Sequence, residues 1–362
     1  MRRTVIGVAA LTGIATALTG GVVTTATAAG TSDSGARVGV YAKGLEGPTG
    51  LDSLGKKSFV VAESGSGKVT LIGKRGGKRT LVTNADGVSG VASRGGKVYS
   101  VTGGGDETRP TPAGHFGGNR VLRTNLRTGR TTVIANLLTY EKLHNPDGQL
   151  QNYPVSNPDQ LDALSNPFAM TSYPGGLLVA DGGANDVLKV NPRTGKVSTF
   201  FVPPTIKQAG CQNANPGTTG CDPVPTGVTY AKGSVWVSTL GAEVPGAGRI
   251  YKLNPRNGHV RRVWTGLTAP TGVAIGRDGS IFYSQVLEGM PQSETPPPGF
   301  NPADVGQIVH IDHGKVSKAQ VTQPTGLKMR RGKLFSTTWS VAFFFQIPQA
   351  GQVVRVPLTS FK

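Results

Sequence analysis

The sequence predicts an all-β chain folded as a six-bladed β-propeller, with four-stranded antiparallel blades and a ring closed by its N-terminal strand. Three observations carry that expectation. A Pro-Thr-Gly-like signal recurs along the chain as GPTGL at 47–51, GVSGV at 87–91, NPFAM at 166–170, VPTGV at 224–228, APTGV at 269–273 and QPTGL at 323–327. Short runs that alternate apolar and small residues follow each signal, as half-buried strands do. Finally, the 362 residues include 53 Gly and 25 Pro, with 37% hydrophobic and only 16% charged residues, a turn-rich balance that still supplies a sizeable core.

Each element can be justified in order from the stretch Asn166 to Pro204, NPFAMTSYPGGLLVADGGANDVLKVNPRTGKVSTFFVPP, which holds four apolar runs separated by Gly, Pro and Asn turn signals. Second strands are expected at SFVVAES from Ser58, KVYSVTG from Lys97, LLVADGG from Leu177, SVWVSTL from Ser234, SIFYSQV from Ser280 and KLFSTTW from Lys333. Third strands follow from Lys68, Asn119, Asp186, Arg249, Gln307 and Gln352, and fourth strands from Arg79, Thr131, Lys196, Val260 and Lys315. The sixth blade lacks a fourth strand before the chain stops at Lys362, while a spare strand, VGVYAKGL from Val38, precedes the first blade. That strand is expected to complete the last blade and remove an open edge. The interval Leu138 to Ser165, rich in Asn, Pro, Gln and Asp, is too short for a further blade of about 40 residues and is expected to be a loop.

The start of the chain has Arg2 and Arg3, an apolar run from Val5 to Leu18, and the small-residue pattern Ala26-Thr27-Ala28. Residues 1–28 therefore read as a secretory signal peptide cut near Ala28 or Ala29, 29–37 as a flexible N-terminal segment, and 38–362 as one propeller domain. The expectation is a secreted, extracytoplasmic monomer with no transmembrane segment in the mature chain. Loss of the two arginines lowers the formal charge from +18 to +16, which fits an anionic cell-envelope polymer as partner or a merely solvated surface. Lysines and arginines such as Lys56-Lys57, Lys74-Arg75, Arg94, Arg193 and Arg330-Arg331 sit in tight turns without interleaved aromatics, so nucleic acid is not the expected partner. The only cysteines, Cys211 and Cys221, bracket GCQNANPGTTGC and are expected to pair, stabilising by roughly 2 to 3 kcal/mol in the chain-entropy model.

Loop lengths divide the two faces. Connections from first to second and from third to fourth strands are tight, as in SLGKK, SRGGK, LRTGR and NPRTG. Long insertions join second to third strands at 103–118, 240–248, 287–306 and 340–351, or fourth to first strands at 138–165 and 203–224. Both kinds open on one face of a propeller, where binding residues belong. Candidate ligand or metal residues on that face are Glu63, Asp106, His115, Glu141, His144, Asp159, Asp181 and Trp339, with Glu107, Asp147 and Asp162 beside them. Carboxylates and imidazoles at a channel mouth could hold Ca²⁺ or another divalent cation, or serve as acid and base. Their spacings match no ligand motif, and Asp181, Asn185 and Asp186 also suit the plainer task of satisfying tight-turn backbone groups. No nucleophile elbow or phosphate cradle is present: Gly65-Ser66-Gly67 and Gly103-Gly104-Gly105 lack the helix such motifs need. Phe343-Phe344-Phe345 follow a second strand into a loop and cannot all point inward, so part of the run is expected near the channel mouth.

The combination of NPDG at 145–148, SNPFAM at 165–170, LLVADGGANDVLKVNPRTGKVSTF at 177–200 and RIYKLNP at 249–255 resembles the ScyD/ScyE family of exported bacterial β-propellers. The resemblance runs from about Val38 to the C-terminus; Pro-Thr-Gly and Val-Ala-Asp are shared more loosely with NHL-type repeats, streptogramin-lyase-like proteins and sugar lactonases. It implies an exported propeller without implying a particular reaction. Two functions follow as expectations. One is a secreted binding propeller that holds a small molecule or anionic envelope polymer on its loop face. The other is a lactonase- or lyase-like enzyme using a channel-bound divalent ion to polarise a carbonyl.

Overall fold

The computed structural model describes residues 38–104, 110–152, 161–212, 215–291 and 296–362. The expected signal peptide and the segment to residue 37 lie outside the described residues. Six four-stranded antiparallel sheets form the six blades, and two residues at each of 151–152 and 161–162 form a separate short hairpin. Blade 1 comprises Pro48–Leu54, Ser58–Glu63, Lys68–Ile72 and Lys78–Val82, from innermost to outermost strand. Blade 3, built by the template stretch, comprises Pro167–Tyr173, Gly176–Asp181, Asp186–Val190 and Val197–Phe201.

The last blade closes the ring as expected. Gly39–Leu45 pairs antiparallel with Gly351–Val356, outside Lys333–Thr338 and Leu327–Arg330. Leu45 is fully buried there, and Tyr41 packs edge-on against Phe59 of blade 1 and Phe335 of blade 6. The closing strand is thus held by apolar burial as well as by its ladder.

The recurring signal acquires a physical reason from the contacts between innermost strands. In blades 1 to 4 the pairing register shifts at the residue after the first position, as between Pro48 and Gly50 or Pro225 and Gly227. In blades 1, 2 and 4 the intervening residue carries a hydroxyl that is released from the ladder and donates to the next blade: Thr49 Oγ1 to Ser89 O at 3.0 Å, Ser89 Oγ to Pro167 O at 2.8 Å, and Thr226 Oγ1 to Pro270 O at 3.2 Å; in blade 3 the position is Phe168. Thr325 Oγ1 donates to Thr49 O at 3.0 Å and joins blade 6 to blade 1. The glycine that follows permits this approach, because a Cβ added to Gly50 would lie 2.6 Å from Ser89 O and one on Gly272 2.1 Å from Thr325 O. Between blades, buried clusters such as Tyr173, Leu178, Val187, Val228, Val235 and Tyr251 supply the core.

One expectation is corrected. The interval after blade 2 is not wholly loop: Leu137–His144 is an α-helix, begun by Asn136, whose side chain accepts from Thr139 N, and ended by Asn145 in a left-handed conformation. Leu137 and Glu141 are its buried residues, so its inward face is half apolar and half acidic.

Candidate functional site

The loop side of blade 3 gathers carboxylates from stretches far apart in sequence. Asp181 ends the second strand and Asp186 begins the third, opposite one another in the ladder. Glu141 reaches the same region from the helix, Asp147 from the turn after it, and Asp222 from the residue following Cys221. The disulfide Cys211–Cys221 forms as expected, and its loop packs with Ile206 and Ala247 in a small apolar cluster. From that loop Asn215 Nδ2 donates to Asp222 Oδ2 at 2.8 Å and to Gln149 Oε1 at 2.9 Å. The cystine loop therefore packs against one side of this buried carboxylate cluster, the acidic chamber.

These carboxylates differ sharply in how they are satisfied. Asp181 is fully buried, accepting from Ser165 Oγ and Asn166 N at 2.6 Å and from Gly183 N and Ala184 N at 3.1 Å. It organises the turn, as its plainer sequence reading holds. Asp147 accepts from Gln149 N at 2.9 Å and from Asn185 Nδ2 at 3.1 Å, while Asn185 Oδ1 receives Val224 N at 3.1 Å. Asp186 is 0% exposed and neither of its carboxylate oxygens has a partner. Glu141, 1% exposed, leaves Oε2 unpartnered; Asp222 Oδ1 and Asn145 Oδ1 are likewise buried without partners.

Electrostatics follows from that geometry. Burial pushes the Asp186 carboxyl well above the usual range, and the negative charges of Asp181, Glu141 and Asp147 push it further. Burial also raises Glu141 to about 8, aided by Asp147 and Asp181. Burial raises Asp147 against the opposing hydrogen bonds from Gln149 and Asn185, and raises Asp222 against the amides of Asn215, Gln149 and Asn185. The interactions that set these protonation states come from carboxylates, amides, a hydroxyl and backbone N–H groups; no Lys, Arg or His is among them.

Buried carboxylates without a counter-charge have two stable conditions, protonated or bound to a cation. The oxygen-only donor set suits a hard cation such as Ca²⁺ and offers nothing to a thiophilic metal. Among the described residues no group of three or more His, Cys, Asp or Glu is placed to hold a metal ion together. A cation would thus draw on Asp186, Glu141 and neutral oxygens such as Asn145 Oδ1, in the flexible coordination that Ca²⁺ tolerates. With exposures of 0% and 1%, Asp186 and Glu141 are also too enclosed to meet a substrate directly in this conformation.

The other expected residues are dispersed. Glu63 is buried in blade 1, where Oε2 accepts from Glu46 N at 2.7 Å and Oε1 from Thr70 Oγ1. His115 pairs with exposed Asp86 at 2.5 Å. His144 is exposed, stacks on Tyr140, and places Nδ1 2.9 Å from that residue's carbonyl oxygen. Asp162 binds Lys142 at 2.7 Å and ties the hairpin to the helix. Trp339 is half-buried beyond the last blade's second strand, and Ala342–Phe345 form a 3-10 helix in which Phe343 lies against Gly47 and Phe345 approaches Phe300. Asp106, Glu107 and Asp159 fall outside the described residues. Sequence reading named Glu141, Asp147 and Asp181 as candidates, treated Asp186 as a turn residue and did not name Asp222, all of which the fold brings together. The adjacency of Asp222 to Cys221 was the available signal.

Fold and chamber together define a six-bladed propeller with a buried acidic site under its loops. No protein-family model and no curated protein matches the chain. Solved structures of similar fold include a putative oxidoreductase (glucose dehydrogenase) from Thermus thermophilus, at TM-score 0.53 and 16% identity over 88% of this chain and 99% of that one. A gluconolactonase from Xanthomonas campestris matches at TM-score 0.50 and 12% identity, covering 88% of each chain. Virginiamycin B lyase from Staphylococcus aureus matches at TM-score 0.47 and 14% identity, over 90% of this chain and 85% of that one. At these identities the likeness of the first two shows the propeller fold and no activity.

Proposed function

We propose that the chain is an exported, ScyD/ScyE-type binding propeller whose loop face is organised by a divalent cation, Ca²⁺ by preference, in the chamber of Glu141, Asp147, Asp181, Asp186 and Asp222. The observation that carries the reading is Asp186, buried with both oxygens unpartnered beside other buried carboxylates. A cation would pull together the helix after blade 2, the second-to-third-strand turn of blade 3 and the cystine loop. These are the insertions that give the loop face its shape, so the cation would prepare the surface on which a ligand is met. An anionic polymer, the partner expected from the net charge, is not what a cluster of five carboxylates would attract.

The competing reading, a lactonase- or lyase-like enzyme, is supported at the level of the fold. A cation on the channel axis would need acidic ligands there. Asp52 is the single carboxylate of the innermost strands, and it is taken up by Lys328 at 2.6 Å and by Ser93 N at 2.8 Å. Elemental analysis after dialysis against Ca²⁺ tests the proposal. About one Ca²⁺ per chain in the wild type and none in Asp186→Asn is expected, whereas equal content in both removes the chamber as the site.

A further inference from the structure

The tight-turn face carries the opposite charge. Several of its cations are engaged in joining blades: Arg94 donates to Tyr173 O, Lys232 Nζ to Arg277 O at 2.6 Å, and Lys328 pairs with Asp52. A second set converges on a cleft of about 420 Å³ at the seam where blade 6 meets blade 1, within the size range of small-molecule sites. Its lining includes Lys56, Arg330, Arg331, Lys333 and Arg355, with Tyr41 and Phe335, and contains no acidic side chain.

The cleft has a built floor. The Arg330 guanidinium lies 3.6 Å from the centroid of Phe59, 4.7 Å from Phe335 and 5.4 Å from Tyr41, and donates to Ser58 O at 3.1 Å. Tyr41 Oη donates in turn to Lys57 O at 2.8 Å. This stacking fixes one guanidinium, while Lys56, Arg331, Lys333 and Arg355 stand exposed around it. Arg331 is held at φ 52°, a left-handed turn position where Asn or Gly is the cheaper residue. Described carboxylates on this face are Asp52, Asp278 and Asp312, and each is occupied, by Lys328, Ser280 and His313 respectively.

Like charges gathered around a shaped cleft, with their local carboxylates already used, are the complement of an oxyanion. Guanidinium groups match phosphate geometry through paired N–H donors, and ammonium groups add charge without directional demand. We infer that the seam cleft is a binding site for the phosphate groups of an anionic ligand, on the face opposite the acidic chamber. Its occupant is either a small phosphate compound or the repeating phosphodiester of an envelope polymer. In either case the ligand would clamp the N-terminal strand to the blades it joins.

Calorimetric titration with pyrophosphate at low ionic strength tests the site, comparing wild type with the triple variant Arg331→Asn, Lys333→Gln, Arg355→Gln. All three side chains are exposed and Arg330 is left in place, so the variant should melt as the wild type does. The expected result is one pyrophosphate per chain, weakened at least tenfold in the variant and by added salt, and unchanged in Asp186→Asn. Wild type and variant titrating alike would overturn the inference. Poly(glycerol phosphate) that displaces the bound pyrophosphate identifies a polymer as the source, and its failure to do so assigns the cleft to small phosphates; both outcomes require the cleft to bind.

Discussion

Asp181 and Asp186 show how little residue type says about task. They face each other at the end of one ladder, yet the first accepts four hydrogen bonds and the second none. In the sequence Asp181 reads as a candidate ligand as well as a turn residue and Asp186 as a turn residue alone, because the donors that separate them, Ser165 and the backbone beyond Asp181, are assigned only by the fold. The same contrast has a consequence in pH. Glu141, raised to about 8, and Asp186, raised well above its ordinary value, keep protons in the folded chain that the unfolded chain has already released. More protons bound to the folded state means that their contribution to stability falls as pH rises through the window from about 4.5 to about 8. Cation-free protein carrying Glu141→Gln should therefore lose less stability than wild type between pH 5 and pH 8. The difference should be on the order of 5 °C in melting temperature, and parallel melting curves for the two proteins would contradict the assignment.

At the level of elements, the blade signals were legible because each of their residues has a local reason visible in sequence: a proline that starts an innermost strand, a hydroxyl released by a bulge, a glycine that admits the neighbouring backbone. Gly272→Ala should cost roughly 1 to 3 kcal/mol through the clash with Thr325 O, measurable by urea denaturation, and an unchanged midpoint would show that the blades part without strain. The closing strand was legible by elimination, since a four-stranded sixth blade needed a partner and residues from Val38 were spare. Removing residues 38–45 withdraws buried Leu45 and the Tyr41 ring from the seam, and should lower the melting temperature and expose an edge prone to association. A truncated chain that melts like the intact one would refute closure. The helix Leu137–His144 was less legible, because LLTYEKLH has no long apolar face and lies among Asn, Pro and Gln. Its order comes from the Asn136 cap and from tertiary contacts that bury Leu137 and Glu141.

Across the whole molecule, acidic groups collect under the loops of blade 3 and unpaired cations surround the seam on the turn face. A single net charge of +18 conceals that division. Loop lengths had already separated a plain face from an elaborate one, but they could not show that the plain face holds the cleft. Nor could sequence show that Glu141, Asp147, Asp186 and Asp222 share a chamber, since that depends on loops from three connections meeting above one blade. No described helix is long and apolar enough to cross a membrane. The central claim is that the loop-side chamber holds a divalent cation. Calorimetric titration of cation-free protein with Ca²⁺ at pH 8 addresses it most directly, with Asp186→Asn as comparison. Saturation at one Ca²⁺ per chain in the wild type, lost in the variant, is the expected result; absence of binding to a correctly folded wild type, or equal binding by both proteins, would contradict it.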